Sequence, residues 1–340
     1  MIEKTNAYFL AEITKNYGNG DCILLENIDC NGNIIHALID TGRKVYNGVV
    51  CKFLKKHKVK KLEFLLITHC HGDHNGDTIS VMDNYVIDKL ITKEFDLKWS
   101  PDGRQKPYED IIGKAIQKKI KILGVSYLSL ISEEFSPSRS ANFKNKIIKN
   151  AKEENFEYFN ENNVNFKFGS SFIQIMNWEI FDSEGNIFIT GKNDNEKKLY
   201  RDIYPNENMN CLGVLLTQGN KKAFFAGDMN NIKKNVGKIK IGDEDRLKDK
   251  IGKIDLLKLG HHGYQLSNTK DYLNILKPEY AIITNDIGEI FLETNQFLDN
   301  NNINYLYSTQ DIYEVNAVIS KDNIELGFGT QGIKNIKDKL

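Results

Sequence analysis

Short apolar runs, each closed by Gly, Asn or Asp, recur along the chain, which is the pattern of strands bounded by turns. Ala7 to Thr14 alternates as a strand. Cys22 to Asn27 and Asn33 to Ile39 predict two further strands around the turn Asp29-Cys30-Asn31-Gly32, and so a β-meander opening. The Gly-rich stretch Tyr17 to Asp21 has no GxGxxG leading into a helix and is not read as a nucleotide loop. Val45 to Lys58 has helical spacing at Val49, Val50, Phe53 and Leu54. Lysines 52, 55, 56, 58, 60 and 61 read as its solvated surroundings. Leu62 to Thr68 is a buried strand, Asp77 to Asn84 a helix, and Lys89 to Thr92 a strand.

The texture changes over residues 93–163, which read as a largely helical insertion within one domain spanning 1–340. Tyr108 to Lys119 and Phe143 to Phe159 are its expected helices, both lysine-bearing. Strands resume at Asn165 to Phe168 and Phe172 to Phe181, followed by a polar loop from Asp182 to Asn208. A hairpin follows at Asn210 to Thr217 and Lys222 to Ala226, then a charged helix at Asp243 to Lys250 and a strand at Ile254 to Leu259. Thr269 to Leu276, Glu279 to Thr284, Gln296 to Asn300 and Ile303 to Tyr307 continue the alternation, and Val315 to Ile319 with Asn323 to Phe328 closes on a hairpin. Two sheets, each covered by helices, accommodate this order.

Chemistry concentrates after the strand Leu62 to Thr68. His69, His71, Asp73 and His74 fall within six positions. Imidazole and carboxylate ligands suit zinc, manganese or iron, and four such groups this close call for a cation. Two later strands also end in ligand-type residues: Asp228, and the pair His261-His262. Side chains at strand ends on one rim are held rigidly, so His69, His71, Asp73, His74, Asp228 and one or both of His261 and His262 form the candidate metal site. The remaining histidines have plainer readings, His36 as a strand residue and His57 as a solvated helix residue. Cys70 reads as a wall of the loop.

Composition narrows the setting. Lys and Arg total 46, equal to Asp and Glu, so no global basic footprint for nucleic acid exists. The five cysteines are scattered without a CxxC pair, which favours a reducing compartment over a disulfide framework. No apolar run approaches the ~18 residues of a membrane span, and the N-terminus lacks signal-peptide form. A cytoplasmic protein without membrane contact is the expectation.

The His69-x-His71-x-Asp73-His74 motif, with Gly227-Asp228 and Gly260-His261-His262-Gly263 following in order, resembles the signature of the metallo-β-lactamase superfamily. Gly18 to Leu24, Leu38 to Gly42, Asn210 to Leu212, Leu256 to Gly263 and Ser308 to Gln310 are similar to the hydrolase domain of the competence DNA-uptake channel protein. The likeness covers most of the chain outside roughly Lys93 to Asn208.

The resemblance implies an α/β, four-layer αββα sandwich and one or two zinc ions, with manganese or iron as alternatives. His69 and His71 would hold the first ion. Asp73, His74 and the second histidine motif would hold the other, with Asp228 between them and Asp40 orienting the ligands. Many superfamily members add a histidine to the first ion, where this chain has Asn208 and Asn210. The competence-type Gly-His-Pro segment is replaced near Phe291-Leu292-Glu293-Thr294.

The expected activity is that of a metal-dependent hydrolase using an activated water, a phosphodiesterase or nuclease. Asp73 or His261 would serve the proton transfers, and Tyr264 and Gln265 would sit at the rim. Lysines 114, 118, 119, 121, 144, 146 and 149 of the insertion are candidate phosphate contacts, and the same segment is a candidate surface for a protein partner. A lactone, thioester or lactam hydrolase, or a regulatory module keeping the fold, are the alternatives, because a fold alone does not select chemistry.

Overall fold

A computed structural model describes residues 2–10, 19–44, 48–94, 105–127, 130, 143, 148–179, 207–236, 238–311 and 314–328. In chain order the strands of the two large sheets are β1 (Lys4–Leu10), β2 (Ile23–Ile28), β3 (Ile34–Ile39), β4 (Phe64–Ile67), β5 (Lys89–Thr92), β6 (Lys121–Leu123), β7 (Phe156–Glu157), β8 (Asn165–Phe168), β9 (Ser171–Met176), β10 (Gly213–Gln218), β11 (Lys221–Phe225), β12 (Leu256–Lys258), β13 (Tyr280–Ile283), β14 (Asn304–Tyr307), β15 (Glu314–Ser320) and β16 (Ile324–Phe328). The helices are α1 (Val49–Lys56), α2 (Gly72–Asn75), α3 (Thr78–Asn84), α4 (Gln105–Lys118), α5 (Asp243–Ile251), α6 (Lys270–Leu276) and α7 (Leu292–Asn300).

The nine-stranded sheet has the order β16-β15-β1-β2-β3-β4-β5-β6-β7, and the seven-stranded sheet the order β8-β9-β10-β11-β12-β13-β14. The meander β1-β2-β3 is antiparallel, and from β3 to β7 the neighbours run parallel. In the second sheet β11 to β14 run parallel as well. The C-terminal hairpin packs beside β1, with Ala7 opposite both Ala317 and Leu25.

Alternation along the strands decides the layers, because successive side chains point to opposite faces. In β2, Ile23 and Leu25 face the second sheet, while Leu24 faces the helices. Between the sheets, Phe9, Ile39 and Leu66 meet Ile175, Val214, Phe225 and Leu256. Outside the first sheet, Leu38, Leu65 and Ile67 pack on Val50, Phe53 and Leu54 of α1 and Ile112 of α4. Outside the second, Phe224 and Leu257 pack on Leu247, Tyr272 and Leu298. This is the expected αββα sandwich. Each fully buried Leu, Ile, Val or Phe contributes about 1.5–3 kcal/mol, so the rim is carried on a stiff scaffold.

Two expectations need correction. The stretch Phe143 to Phe159 is not one helix: its described residues form short 3-10 turns at Ile148–Asn150 and Glu153–Asn155 and then β7. Phe156 and Glu157 instead pair beside β6, so tertiary context overrides local propensity. The described part of 93–163 is built into the first sheet and its helical layer through α4, β6 and β7. Finally, His57 is not solvated. Its side chain is 8% exposed and its Nε2 lies 3.0 Å from Glu314 Oε2.

His36 and Cys70 take the structural places expected of them, His36 in β3 beside Glu26 and Cys70 in the core. The six lysines about α1 are exposed. Residues 11–14, the expected loop from 182 to 206, Lys144 and Lys146 lie outside the described residues. No helix among the described residues is long and apolar enough to cross a membrane.

Candidate functional site

Both sheets carry their polar residues at the C-terminal ends of parallel strands, where open α/β sheets place their ligands. β3 ends in Asp40, β4 in Thr68 and His69, β11 in Asp228, β12 in the His261-His262 turn and β13 in Thr284. The rims are stitched together by Leu212 N–H donating to Thr68 O at 2.9 Å. Gly227, before Asp228, has φ 54°, and a Cβ there would lie 2.5 Å from Cys211 Sγ and 3.1 Å from Thr68 Cβ, so only glycine lets the two rims approach.

His69, His71 and Asp228 form one group of potential ligands, and Asp73, His74 and His262 another. Asp228 joins them: its Oδ1 is 3.1 Å from both His74 Nε2 and His262 Nε2, and its Oδ2 is 3.6 Å from His69 Nε2. His262 Nε2 is also 3.6 Å from Asp73 Oδ2. The rings of His69 and His71 are centred 4.4 Å apart. All six residues expected from the 69–74 loop, Asp228 and His262 thus meet in one hollow.

The other ring nitrogens are anchored. Asp40 accepts from His74 Nδ1 at 2.7 Å and from Thr68 N and Oγ1, each at 2.7 Å. His262 Nδ1 lies 3.0 Å from Thr284 Oγ1. With each Nδ1 held by these partners, the Nε2 atoms of His74 and His262, 3.3 Å apart and facing each other, are the nitrogens left to take a cation. His69 Nε2 and Asp228 Oδ1 are buried and make no hydrogen bond. Two facing imidazole nitrogens around a carboxylate oxygen can hold protons in the metal-free chain or give their lone pairs to a cation, and the donor set fits one or two divalent ions.

His261 is placed differently. It belongs to neither group among the described residues and lines a cleft with Tyr264 and Gln265. Of the two histidines, His262 is therefore the one that joins the hollow. Asn210 is buried and donates from Nδ2 to Glu94 O at 3.1 Å. Of the insertion lysines, Lys114 and Lys118 lie 3.0 and 3.6 Å from Asp83. Lys121 begins β6, at the rim opposite the ligands.

The sequence reading missed Asp21 and Lys258. Both are fully buried, and the Lys258 ammonium contacts Asp21 Oδ2 directly and donates to Gly227 O at 2.9 Å. Asp21 Oδ1 lies 3.5 Å from His262 Nδ1. Asp21 also fits a grouping with His74 and Asp228, but a cation against it would face the ammonium. Its place is therefore behind the ligands. The signal was legible: a lone lysine inside the apolar strand Leu256-Leu257-Lys258-Leu259 requires a buried partner.

Electrostatics follow from this crowding. Burial opposes the charged form of Asp21, but Lys258 and then His262 hold it well below the usual carboxylate range. Burial likewise opposes the charge on Asp228, and His262 and His74 outweigh it. Burial pushes Asp40 up. Burial and the neighbouring His74 and His71 push His69 well down. Burial would lower His74, but Asp228 and Asp40 raise it well above 6.5. Burial also opposes the charge on His262, yet Asp228, with help from Asp21, pushes it up to about 10.

A pH dependence follows. In metal-free protein these raised histidines contribute stability that is fully present below pH 6.5 and is lost as the pH rises through the folded value, about 10 for His262. Divalent ions need the same nitrogens unprotonated, so binding expels protons. The gain in thermal midpoint from added manganese or zinc is expected to be larger near pH 9 than near pH 6, and equal gains would contradict the assignment. Asp40→Asn removes the negative charge and one of the two acceptor oxygens that hold His74 and Thr68, and is expected to weaken metal affinity about 10–100-fold, as read by competition with a chromogenic chelator.

Residues 16–156 match the family model of the Metallo-beta-lactamase superfamily. No curated protein matches the chain. Among solved structures it is similar to a Parabacteroides distasonis protein provisionally named a metal-dependent hydrolase, at 11% identity and TM-score 0.34, over 85% of this chain and 94% of that one. It is also similar to an archaeal metallo-beta-lactamase superfamily protein from Sulfolobus tokodaii, at 14% identity and TM-score 0.32, over 83% and 89%. The matched span, residues 16–156, contains the whole His69–His74 loop and ends before Asp228 and His262.

Proposed function

We propose that the chain is a metal-dependent hydrolase acting on a phosphodiester. The observation that carries this reading is the carboxylate of Asp228, which belongs to the group with His69 and His71 and also stands 3.1 Å from His74 Nε2 and His262 Nε2 of the other group. Two cations side by side suit a phosphodiester, because a divalent pair supplies an activated water and neutralises charge on both the attacking and leaving oxygens. The likeness of Leu38 to Gly42 and Leu256 to Gly263 to the competence-type hydrolase domain supports a nucleic-acid phosphodiester.

The chain's own residues have separable tasks. His69, His71 and Asp228 would hold one ion, and Asp73, His74, His262 and Asp228 the other. Asp40 keeps the His74 proton on Nδ1, and Thr284 and Asp21 do the same for His262. Asp73, 13% exposed at its side chain and with Arg43 3.8 Å away, is the ligand carboxylate nearest the opening and the one suited to orient an incoming water.

The test is turnover of bis-p-nitrophenyl phosphate, single-stranded DNA and RNA by folded protein supplied with manganese or zinc. Hydrolysis of at least one, abolished by chelator, is expected. No turnover of any, alongside hydrolysis of a lactone or thioester, would overturn the phosphodiester assignment.

A further inference from the structure

His261 and His262 are consecutive residues in the left-handed region, φ 49° and 54°. That conformation costs roughly 1–2 kcal/mol for each non-glycine residue, and such strain persists where the surroundings impose it. Its effect is to send two adjacent imidazoles to different places. His262 is fully buried among the ligands, while His261 lies with its ring centroid 6.3 Å from that of His262. His261 Nδ1 is buried without a hydrogen-bond partner.

The space beside His261 is a cleft of about 340 Å³ lined by His261, Tyr264, Gln265, Glu289, Ile290 and Phe291. That volume lies at the lower end of the range of small-ligand pockets, about 300–1,000 Å³. Its two walls are locked to each other. Phe291 N–H donates to Gly263 O at 2.9 Å, and Asn285 Nδ2 donates to Glu289 O at 2.6 Å and to His262 O at 3.3 Å. Gly263, φ 83°, would bring a Cβ within 3.0 Å of Ile290 Cγ1, so the close approach of the walls depends on it. The cleft is therefore preformed, and its inner end is the residue bonded to a metal ligand. It shares Gln265 and Phe291 with a larger groove of about 840 Å³ that runs along α6 and α7.

The lining defines the occupant. Tyr264 and Phe291 offer flat aromatic surface, Ile290 an aliphatic one, Gln265 and Glu289 polar edges, and His261 the edge of its imidazole. The Glu289 carboxylate disfavours an anion and favours a group with N–H donors. We infer that this cleft is a base-binding subsite, taking the uncharged, donor-edged nucleobase attached to the phosphodiester held at the metal centre. The inference deepens the proposed function and rests on it. Stacking on an aromatic face is the general means of holding an unpaired base.

Binding of guanosine, adenosine and thymidine to the chelator-treated full chain, measured by calorimetry with ribose as control, tests the cleft without any turnover. Saturable nucleoside binding is expected, with ribose inert and Phe291→Ala weakening the affinity about 10-fold. Gln265→Ala, an exposed substitution that leaves packing intact, should lower affinity for the donor-edged bases. Absence of nucleoside binding, or binding unchanged by both variants, overturns the subsite. If bis-p-nitrophenyl phosphate is still hydrolysed in that case, the phosphodiester assignment stands and only the cleft fails. Nucleoside binding without phosphodiester turnover keeps the cleft and removes the reaction.

Discussion

Asp228→Asn is expected to abolish stoichiometric metal binding and to lower hydrolysis on the order of 10³-fold or more, equivalent to several kcal/mol of lost charge stabilisation. Asparagine keeps the shape of the side chain but not its charge. The side chain is 2% exposed and its carboxylate stands within 3.6 Å of His69, His74 and His262. No second carboxylate among the described residues joins both ligand groups, so nothing else is placed to bridge two cations. The backbone N–H of Asp228 bonds to Cys211 Sγ at 3.1 Å, which holds the turn independently of the side chain, and the variant should stay folded. Elemental analysis and turnover read the two effects together. A variant that keeps both ions and nearly all its activity would show that Asp228 is not the bridge.

Lys258→Met should destabilise the metal-free chain by about 3–5 kcal/mol, the usual cost of leaving one member of a buried ion pair alone. The substitution keeps the length and apolar stem and removes only the ammonium that faces Asp21 and Gly227 O. The sign follows from Asp21. Its depressed pKa contributes stability that is present above its ordinary 3.8 and is lost as the pH falls through the lower folded value. Without Lys258 that contribution goes, so the variant's deficit should shrink in acid. Added divalent metal should also shrink it, because cations in the hollow partly replace the missing charge. Denaturation with and without metal measures both. A loss below about 1 kcal/mol, the value of an exposed pair, would mean that the Lys258–Asp21 contact is incidental.

Much of this site is written in local sequence. The loop from His69 to His74 announces itself because ligand residues crowd a short span after an apolar strand. Asp228 and His262 are legible for the same reason, since each follows a run of buried residues in β11 or β12. What local sequence does not carry is the meeting of distant segments. Asp21 belongs to a turn before β2 and Lys258 to the end of β12, and only the packing of one sheet on the other brings them together. The choice between His261 and His262 was likewise undecidable, because it depends on two backbone torsions.

The stretch from Phe143 to Phe159 failed for a different reason. Its described end forms an edge strand, and the parallel pairing of β7 with β6 outweighs intrinsic preference. A second buried ion network was also missed. Lys234 bonds Met209 O and Asp243 Oδ1, each at 2.7 Å, and so fixes the turn before β10. Its partners are 25 and 9 residues away in sequence, beyond the reach of any periodicity argument.

The most direct test is an anomalous-scattering map from crystals of the full chain soaked in zinc or manganese. Two adjacent peaks are predicted, one among His69, His71 and Asp228 and the other among Asp73, His74, His262 and Asp228, with His261 touching neither. Peaks confined to other parts of the surface, or no peak in the hollow at saturating metal, would contradict the assignment of this rim as a metal centre.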